Sequence, residues 1–152
     1  MAWPAAWADL VGGGRRGTEV VGAFFLAMQT GRAAADELLA LFDDDAEYVE
    51  PFSGGSGIHR GRAAIRAAFE RGWERELPEQ RIVVDRVDVE GGEVVARWTC
   101  FSPGLPGGRG SGVNRFELSG GRIIRLRTTW GERWADGGSA PDSRSRCMSS
   151  SS

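Results

Sequence analysis

The chain has 152 residues and a formal charge of −2, long enough to bury one core without cross-links and too evenly charged for a nucleic-acid surface or an acidic interaction tail. All 19 basic residues are arginine, and beside 23 glycines this reads as a bias of the coding sequence rather than a special arginine chemistry. Cys100 and Cys147 stand in unlike contexts and give neither a disulfide framework nor a zinc spacing, which points to a reducing, cytoplasmic compartment. No apolar run approaches the roughly 18 residues of a membrane span, and the N-terminus lacks the basic, apolar and small-residue order of a signal peptide.

In chain order, residues 1–17 mix Trp3, Pro4 and Trp7 with a triple glycine, whose ordering is entropically expensive, and read as a flexible leader. The stretch TEVVGAFFLAMQTG predicts a helix, with Thr18 as its N-cap and Gly31 as its stop. Val20 or Val21, Phe24 and Met28 recur three to four residues apart and give it one apolar face. A shorter helix is expected over residues 34–42, burying Leu38, Leu39, Leu41 and Phe42. Asp43, Asp44 and Asp45 read as a solvated turn before a short strand over residues 47–52, and a glycine-rich loop then leads to a third helix with Ile65, Ala68, Phe69 and Trp73 on its buried stripe.

The remainder reads as β-structure. Strands are expected over residues 81–89, 94–101, 113–118 and 122–130, with EGGE and SGG as tight hairpin turns. In the last strand Ile124, Leu126, Thr128 and Trp130 share one face, and Arg125, Arg127 and Thr129 the other. From Gly137 onward GGSAPDSRSRCMSSSS has too little apolar content to fold, so the expected organisation is a domain at 18–134 and a disordered tail at 135–152. Helices first and antiparallel strands afterwards argue an α+β domain, three helices packed on one face of a curved, mostly antiparallel sheet.

One acid stands out. Glu50, in YVEPF, follows an alternation that places Ala46 and Tyr48 on its own face and Glu47 and Val49 on the other. Taken alone, it is either a solvated acid paired with an arginine such as Arg60 or Arg62, or a base facing a cavity. His59, the sole histidine, lacks neighbours at ligand spacing and reads as a solvated loop residue, so no metal or cofactor is expected. GGSG at residues 54–57 lacks the Lys-Ser/Thr of a phosphate loop. Cys100 reads as a small buried hydrophobe.

The order of elements, together with FFLAMQTGRAAADELLALFDDDAEYVEPFSG, GRAAIRAAF, WTCFSPG, VNRFEL, GGRIIRL and TTWGE, resembles the nuclear transport factor 2-like superfamily, in particular its SnoaL-like and ketosteroid-isomerase-like domains. That resemblance covers residues 18–132 and implies a cone-shaped α+β barrel around a pocket, a fold that hosts many chemistries and some non-enzymes. It implies Glu50 as the proton-shuttling carboxylate and Asn114 as a donor to an enolate oxygen. The family's tyrosine donor falls on Phe24, which has no hydroxyl, and Tyr48 is the expected substitute. Phe24, Met28, Trp98, Phe116 and Trp130 are the implied walls. Members that open epoxides use an Asp–Arg–Asp set, but Arg97 has Thr99 where the aspartate would stand.

Two functions follow from the resemblance. One is a cofactor-independent isomerase or cyclase acting next to the carbonyl of an apolar steroid, terpenoid or polyketide-like ligand, with lyase or hydrolase chemistry less suited. The other is a non-catalytic binding or dimerisation module of the same fold. Either implies a homodimer, and neither implies a nucleic acid or a membrane as partner.

Overall fold

The computed structural model describes residues 15–131. The expected leader and tail lie almost wholly outside the described residues. Helix α1, Arg15–Thr30, already includes Thr18, which is buried inside the helix instead of capping it. The helix runs on because Gly17 lies against the sheet, where a Cβ would come within 3.1 Å of Leu118 Cδ1 and 3.5 Å of Val94 Cγ2. Val21, Phe24, Phe25 and Met28 form its buried face. A 3₁₀ turn at Arg32–Ala34 leads to α2, Ala35–Ala40, which stops before the expected Leu41 and Phe42.

Phe42 instead opens strand β1, Phe42–Val49. The three aspartates therefore belong to the strand and not to a turn. Two contacts pin this stretch: the backbone N–H of Ile123 donates to the Leu41 carbonyl at 2.8 Å, and the Arg62 guanidinium donates to the Phe42 carbonyl from Nε at 2.9 Å and Nη2 at 2.7 Å. Arg62 also pairs with Asp44 at 2.8 Å. The ladder to β6 shifts register between Phe42 and Glu47, and the aspartates occupy that irregular part.

β1 ends at Val49, so Glu50, Pro51 and Phe52 follow the strand. The loop then returns as β2, Ile58–Arg60, antiparallel to β1 with Tyr48 opposite His59. His59 thus sits on a strand and not in a loop, a correction of the sequence reading. Helix α3, Arg62–Glu74, buries Ile65 and Phe69, and Trp73 Nε1 donates to the Met28 carbonyl at 2.9 Å, tying it to α1.

Strands β3 (Arg81–Glu90), β4 (Glu93–Phe101), β5 (Arg109–Ser119) and β6 (Arg122–Trp130) complete the sheet. Both glycine hairpins are as expected: φ is 59° and 85° at Gly91 and Gly92, and 60° and 80° at Gly120 and Gly121, the paired positive angles of a type I′ turn. On β6 it is Ile123 and not Ile124 that enters the core, because the ladder to β5 shifts between Glu117 and Leu118.

The strand order is β2-β1-β6-β5-β4-β3, with β1 and β6 parallel and every other pair antiparallel. The α+β architecture with three helices on a mostly antiparallel sheet is the expected one, but the sheet does not close. Among the described residues β2 and β3 are edges paired on one side, so the barrel of the sequence reading is an open sheet. Cys100 is buried on β4 and is not a free thiol, which removes the cysteine argument for a reducing compartment. No described helix is long and apolar enough to cross a membrane.

Phe24 is fully buried at the centre of the core. Its ring lies 5.1 Å from Phe25, 5.2 Å from Phe116, 5.9 Å from Phe69 and 6.3 Å from Phe42, all edge to face, a preferred aromatic arrangement. Trp98 is equally buried and lies 5.8 Å from Trp130. Glycines on β5 make room for these indoles: a Cβ on Gly112 would fall into the Trp98 ring, and one on Gly110 into that of Trp130. Gly112→Ala is expected to lower stability by about 1–3 kcal/mol through overpacking. Gly54→Ala, whose Cβ meets nothing within 4 Å, should change it by less than about 0.5 kcal/mol. Urea unfolding of the two variants measures the difference.

Candidate functional site

The β1–β2 ladder builds the site. Tyr48 faces His59 across it, and two residues on Glu50 donates its backbone N–H to the Gly57 carbonyl at 2.9 Å. Period-two alternation therefore puts Tyr48 and Glu50 on one face with His59, which is directly opposite Tyr48 and diagonal to Glu50. Pro51 then turns the chain back so that two backbone N–H groups point at the carboxylate.

Glu50 Oε1 accepts from the N–H of Phe52 at 2.6 Å and of Ser53 at 2.9 Å. Its Oε2 lies 2.7 Å from His59 Nε2, and the two side chains are only 6% and 13% exposed. Burial raises the carboxyl's pKa, but the hydrogen bonds from His59, Ser53 and Phe52 together outweigh it, and the net direction is down from the ordinary 4.5. Glu50 is thus held ionised in a buried position. An ionised acceptor at this distance requires a proton on His59 Nε2, so neutral His59 keeps its lone pair on Nδ1.

Tyr48 stacks on Phe69, with centroids 4.8 Å apart and planes inclined by 7°. Its hydroxyl is hydrogen bonded to the Thr128 side chain. Burial first, and the Glu50 charge second, push the phenol's pKa strongly up, so Tyr48 stays protonated. From Thr128 the network continues inward: Thr128 Oγ1 donates to Asn114 Oδ1 at 2.8 Å, and Trp98 Nε1 donates to the same oxygen at 3.1 Å. Asn114 Nδ2 and Trp130 Nε1 are buried without a hydrogen-bond partner among the described residues.

A cavity of about 60 Å³ opens beside Glu50. Met28 of α1 lines it, with Tyr48, Glu50, Phe52 and Ser53 from β1 and its exit. Ala68, Phe69, Gly72 and Trp73 of α3 form the other wall, and Arg71, Arg75, Glu76 and Gln80 stand at its solvent side.

Of the residues singled out in the sequence, Glu50, Tyr48 and Met28 therefore meet at one cavity. Asn114, Phe24, Trp98, Phe116 and Trp130 do not line it and lie in the aromatic interior beneath. The cone's depth is filled by the rings around Phe24. Sequence reasoning missed His59, because a three-residue strand carries too little periodicity to be seen. Its signal was the placing of IHR after a glycine-rich return from EYVE. Among the described residues no group of three metal-ligating side chains comes together.

Residues 21–126 match the model of the SnoaL-like domain family. The chain belongs to this family. Among solved structures, a putative ketosteroid isomerase from Kribbella flavida DSM 17836 is similar at 20% identity and a TM-score of 0.58, over 79% of this chain and 81% of that one. Bal32a, from a soil-derived mobile gene cassette, is similar at 26% identity and a TM-score of 0.61, over 76% and 88%. TerC, co-crystallised with polyporic acid, is similar at 18% identity and a TM-score of 0.61, over 76% and 91%. No curated protein matches the sequence.

The SnoaL-like domain carries a pH signature in Glu50. Because its folded pKa lies below the ordinary 4.5, ionised Glu50 stabilises the fold above that pH, and the contribution fades as pH falls through the folded value. Glu50→Gln is expected to cost about 1–3 kcal/mol at neutral pH. The gap between variant and wild type should narrow below pH 4.5, as urea unfolding at a series of pH values would reveal. A gap that stays constant into strong acid would show that the carboxylate's charge is not what the fold uses.

Proposed function

We propose that this SnoaL-like domain is a small-molecule pocket protein in which Glu50, backed by His59, handles a proton next to a ligand carbonyl without a cofactor. The observation that carries the reading is a buried, ionised carboxylate on the wall of a mostly apolar cavity. A carboxylate offers about four lone-pair directions. Two at Oε1 are taken by Phe52 and Ser53, and one at Oε2 by His59. The Ser53 side chain bonds the carboxylate as well, and the ligand takes the second Oε2 lone pair in exchange with that hydroxyl.

In the proposed step that lone pair takes a proton from the carbon next to the carbonyl. The C–H bond breaks, an O–H bond forms on Glu50, and the electron pair moves into the carbonyl as an enolate. Returning the proton at another carbon gives an isomer, and attack of the enolate on a second carbonyl closes a ring. The hydrogen bonds that keep Glu50 acidic weaken it as a base. The reading therefore suits an activated C–H, one flanked by two carbonyls or conjugated with an alkene.

The reading is supported by the small-molecule names attached to structural neighbours, a putative ketosteroid isomerase and a protein crystallised with polyporic acid. Within it, two protomers pair through the outer sheet face, where Arg97, Arg115 and Arg127 alternate with acidic partners. A second reading, a binder without catalysis, is favoured by the filled cone. The Tyr48 hydroxyl is engaged with Thr128, and Asn114, whose Nδ2 is the donor an enolate would need, does not line the cavity.

Deuterium exchange from D₂O into 1,3-cyclohexanedione and a conjugated cyclohexenone, followed by NMR, separates the two. Wild type is expected to exchange the ketone's α-hydrogens above the buffer rate, and Glu50→Ala to lose at least about a hundredfold of that, the usual scale of general base catalysis. Full exchange by Glu50→Ala would exclude Glu50 as the base. Exchange at the buffer rate by wild type with the ketone bound would leave the binder reading.

A further inference from the structure

We infer that the ligand of this cavity is an organic anion, its carboxylate held by Arg71 and Arg75 while its apolar part points toward Glu50. The inference rests on reading the cavity as a ligand site and names the ligand's chemical class.

Four acidic or basic side chains line the cavity, Glu50, Arg71, Arg75 and Glu76, beside the protonated Tyr48. The charge of Glu50 is met internally by His59 and two backbone N–H groups. Glu76 has no ion pair among the described residues, and partial burial pushes its pKa up; its single charge is outnumbered by the two arginines. The two guanidiniums have no such compensation. Most arginines around them are paired: Arg62 with Asp44, Arg66 with Asp36 and Glu70, Arg32 with Glu70 and Glu74. Among the described residues Arg71 and Arg75 make no ion pair, although Glu70 and Glu74 are adjacent to them in sequence.

Their spacing fits one anion. Residues four apart on a helix have Cβ atoms about 5–6 Å from each other, and Arg75 directly follows α3 as its C-cap. A carboxylate can accept from both guanidiniums in that arrangement, a charge-assisted contact with directional donors. Between the two, Gly72 and the preceding Ala68 carry little or no side chain and keep the wall low. Phe69 and Tyr48 supply the apolar surface beyond them. The opening is thus cationic and the interior aromatic, with a single acceptor at Glu50. An acid with an apolar body and a polarisable far end matches that sequence of environments. The arginines also sit at the C-terminal end of α3, where positive charge offsets the helix dipole, so the decisive comparison is between two ligands on one protein.

The test pairs phenylacetate, cinnamate and hexanoate with phenylacetamide, cinnamamide and hexanamide. Each is titrated at low salt, following by NMR the Gly72 amide and the Trp73 indole N–H. Each acid should bind roughly tenfold more tightly than its amide, the effect of one charge-assisted contact, and added salt should reduce the preference. In the Arg71→Gln/Arg75→Gln variant the preference should vanish while amide affinity is unchanged. Amides that shift Gly72 and Trp73 as readily as the acids would overturn the anion inference and leave the ligand pocket standing. A preference that survives the double substitution, or acids that shift other residues instead, would overturn it as well. Failure of both ligand classes to shift Gly72 and Trp73 would remove the inference together with the pocket reading beneath it.

Discussion

A buried negative charge organises this end of the molecule. Glu50 lies where desolvation alone would favour its neutral form, and it stays ionised because four hydrogen bonds converge on it. Three come from the loop that leaves β1, the Phe52 and Ser53 backbone N–H groups and the Ser53 side chain, and one from the edge strand β2. The carboxylate thus fastens the loop and the edge to the strand between them. β2 has only three residues and pairs with β1 alone, a strand too short to hold itself by backbone bonds. Removing the charge would loosen the elements that also form one wall of the cavity, so structure and chemistry are coupled at a single side chain.

The same coupling limits the chemistry. A carboxylate with four hydrogen bonds is a well-placed acceptor and a weakened base, and the two properties have one cause. Deeper in the molecule the interior is committed to packing. Phe24 occupies the centre of a cluster of rings, and the polar chain Tyr48–Thr128–Asn114–Trp98 spends its oxygens on itself. Polar groups buried this way favour one arrangement of the sheet because an alternative would leave them unpaired. The Asn114 amide nitrogen, without a partner among the described residues, is what that arrangement leaves over, since its carbonyl oxygen satisfies two neighbours.

How much of this was legible in the sequence depended on whether a signal was local. The glycine hairpins could be read because a type I′ turn demands positive φ at two adjacent residues, and few residues besides glycine accept it. The helix faces could be read from their period. Strand β1 was placed too late because three aspartates in a row look like a turn, and the arginine that pins the Phe42 carbonyl before them comes from a helix about twenty residues away. Simple alternation put Ile124 on the face of Leu126, Thr128 and Trp130, and a register shift against the neighbouring strand brought Ile123 into the core instead. Glu50 was visible as an acid among apolar residues, yet its partner was not. The contact between Glu50 and His59 exists only once β2 pairs with β1, and nothing within IHR announces a strand.

The place of the cavity has its own cause, which is the texture of one helix face. Along α3 the residues turned toward β1 and α1 alternate in size: Ala68 and Gly72 are small, Phe69 and Trp73 are large. The large pair anchors the helix, Phe69 by stacking on Tyr48 and Trp73 by its bond to the Met28 carbonyl. The small pair leaves the volume that neither anchor fills. Because the anchors set the distance between helix and sheet, the gap beside the small residues cannot collapse without dislodging Tyr48, and Tyr48 is held from behind by Thr128. The opening is therefore propped from both sides, and Glu50 stands at its inner end because the β1–β2 pairing puts it on the face of Tyr48. Size on the helix decides where there is room, and pairing on the sheet decides which charge faces it.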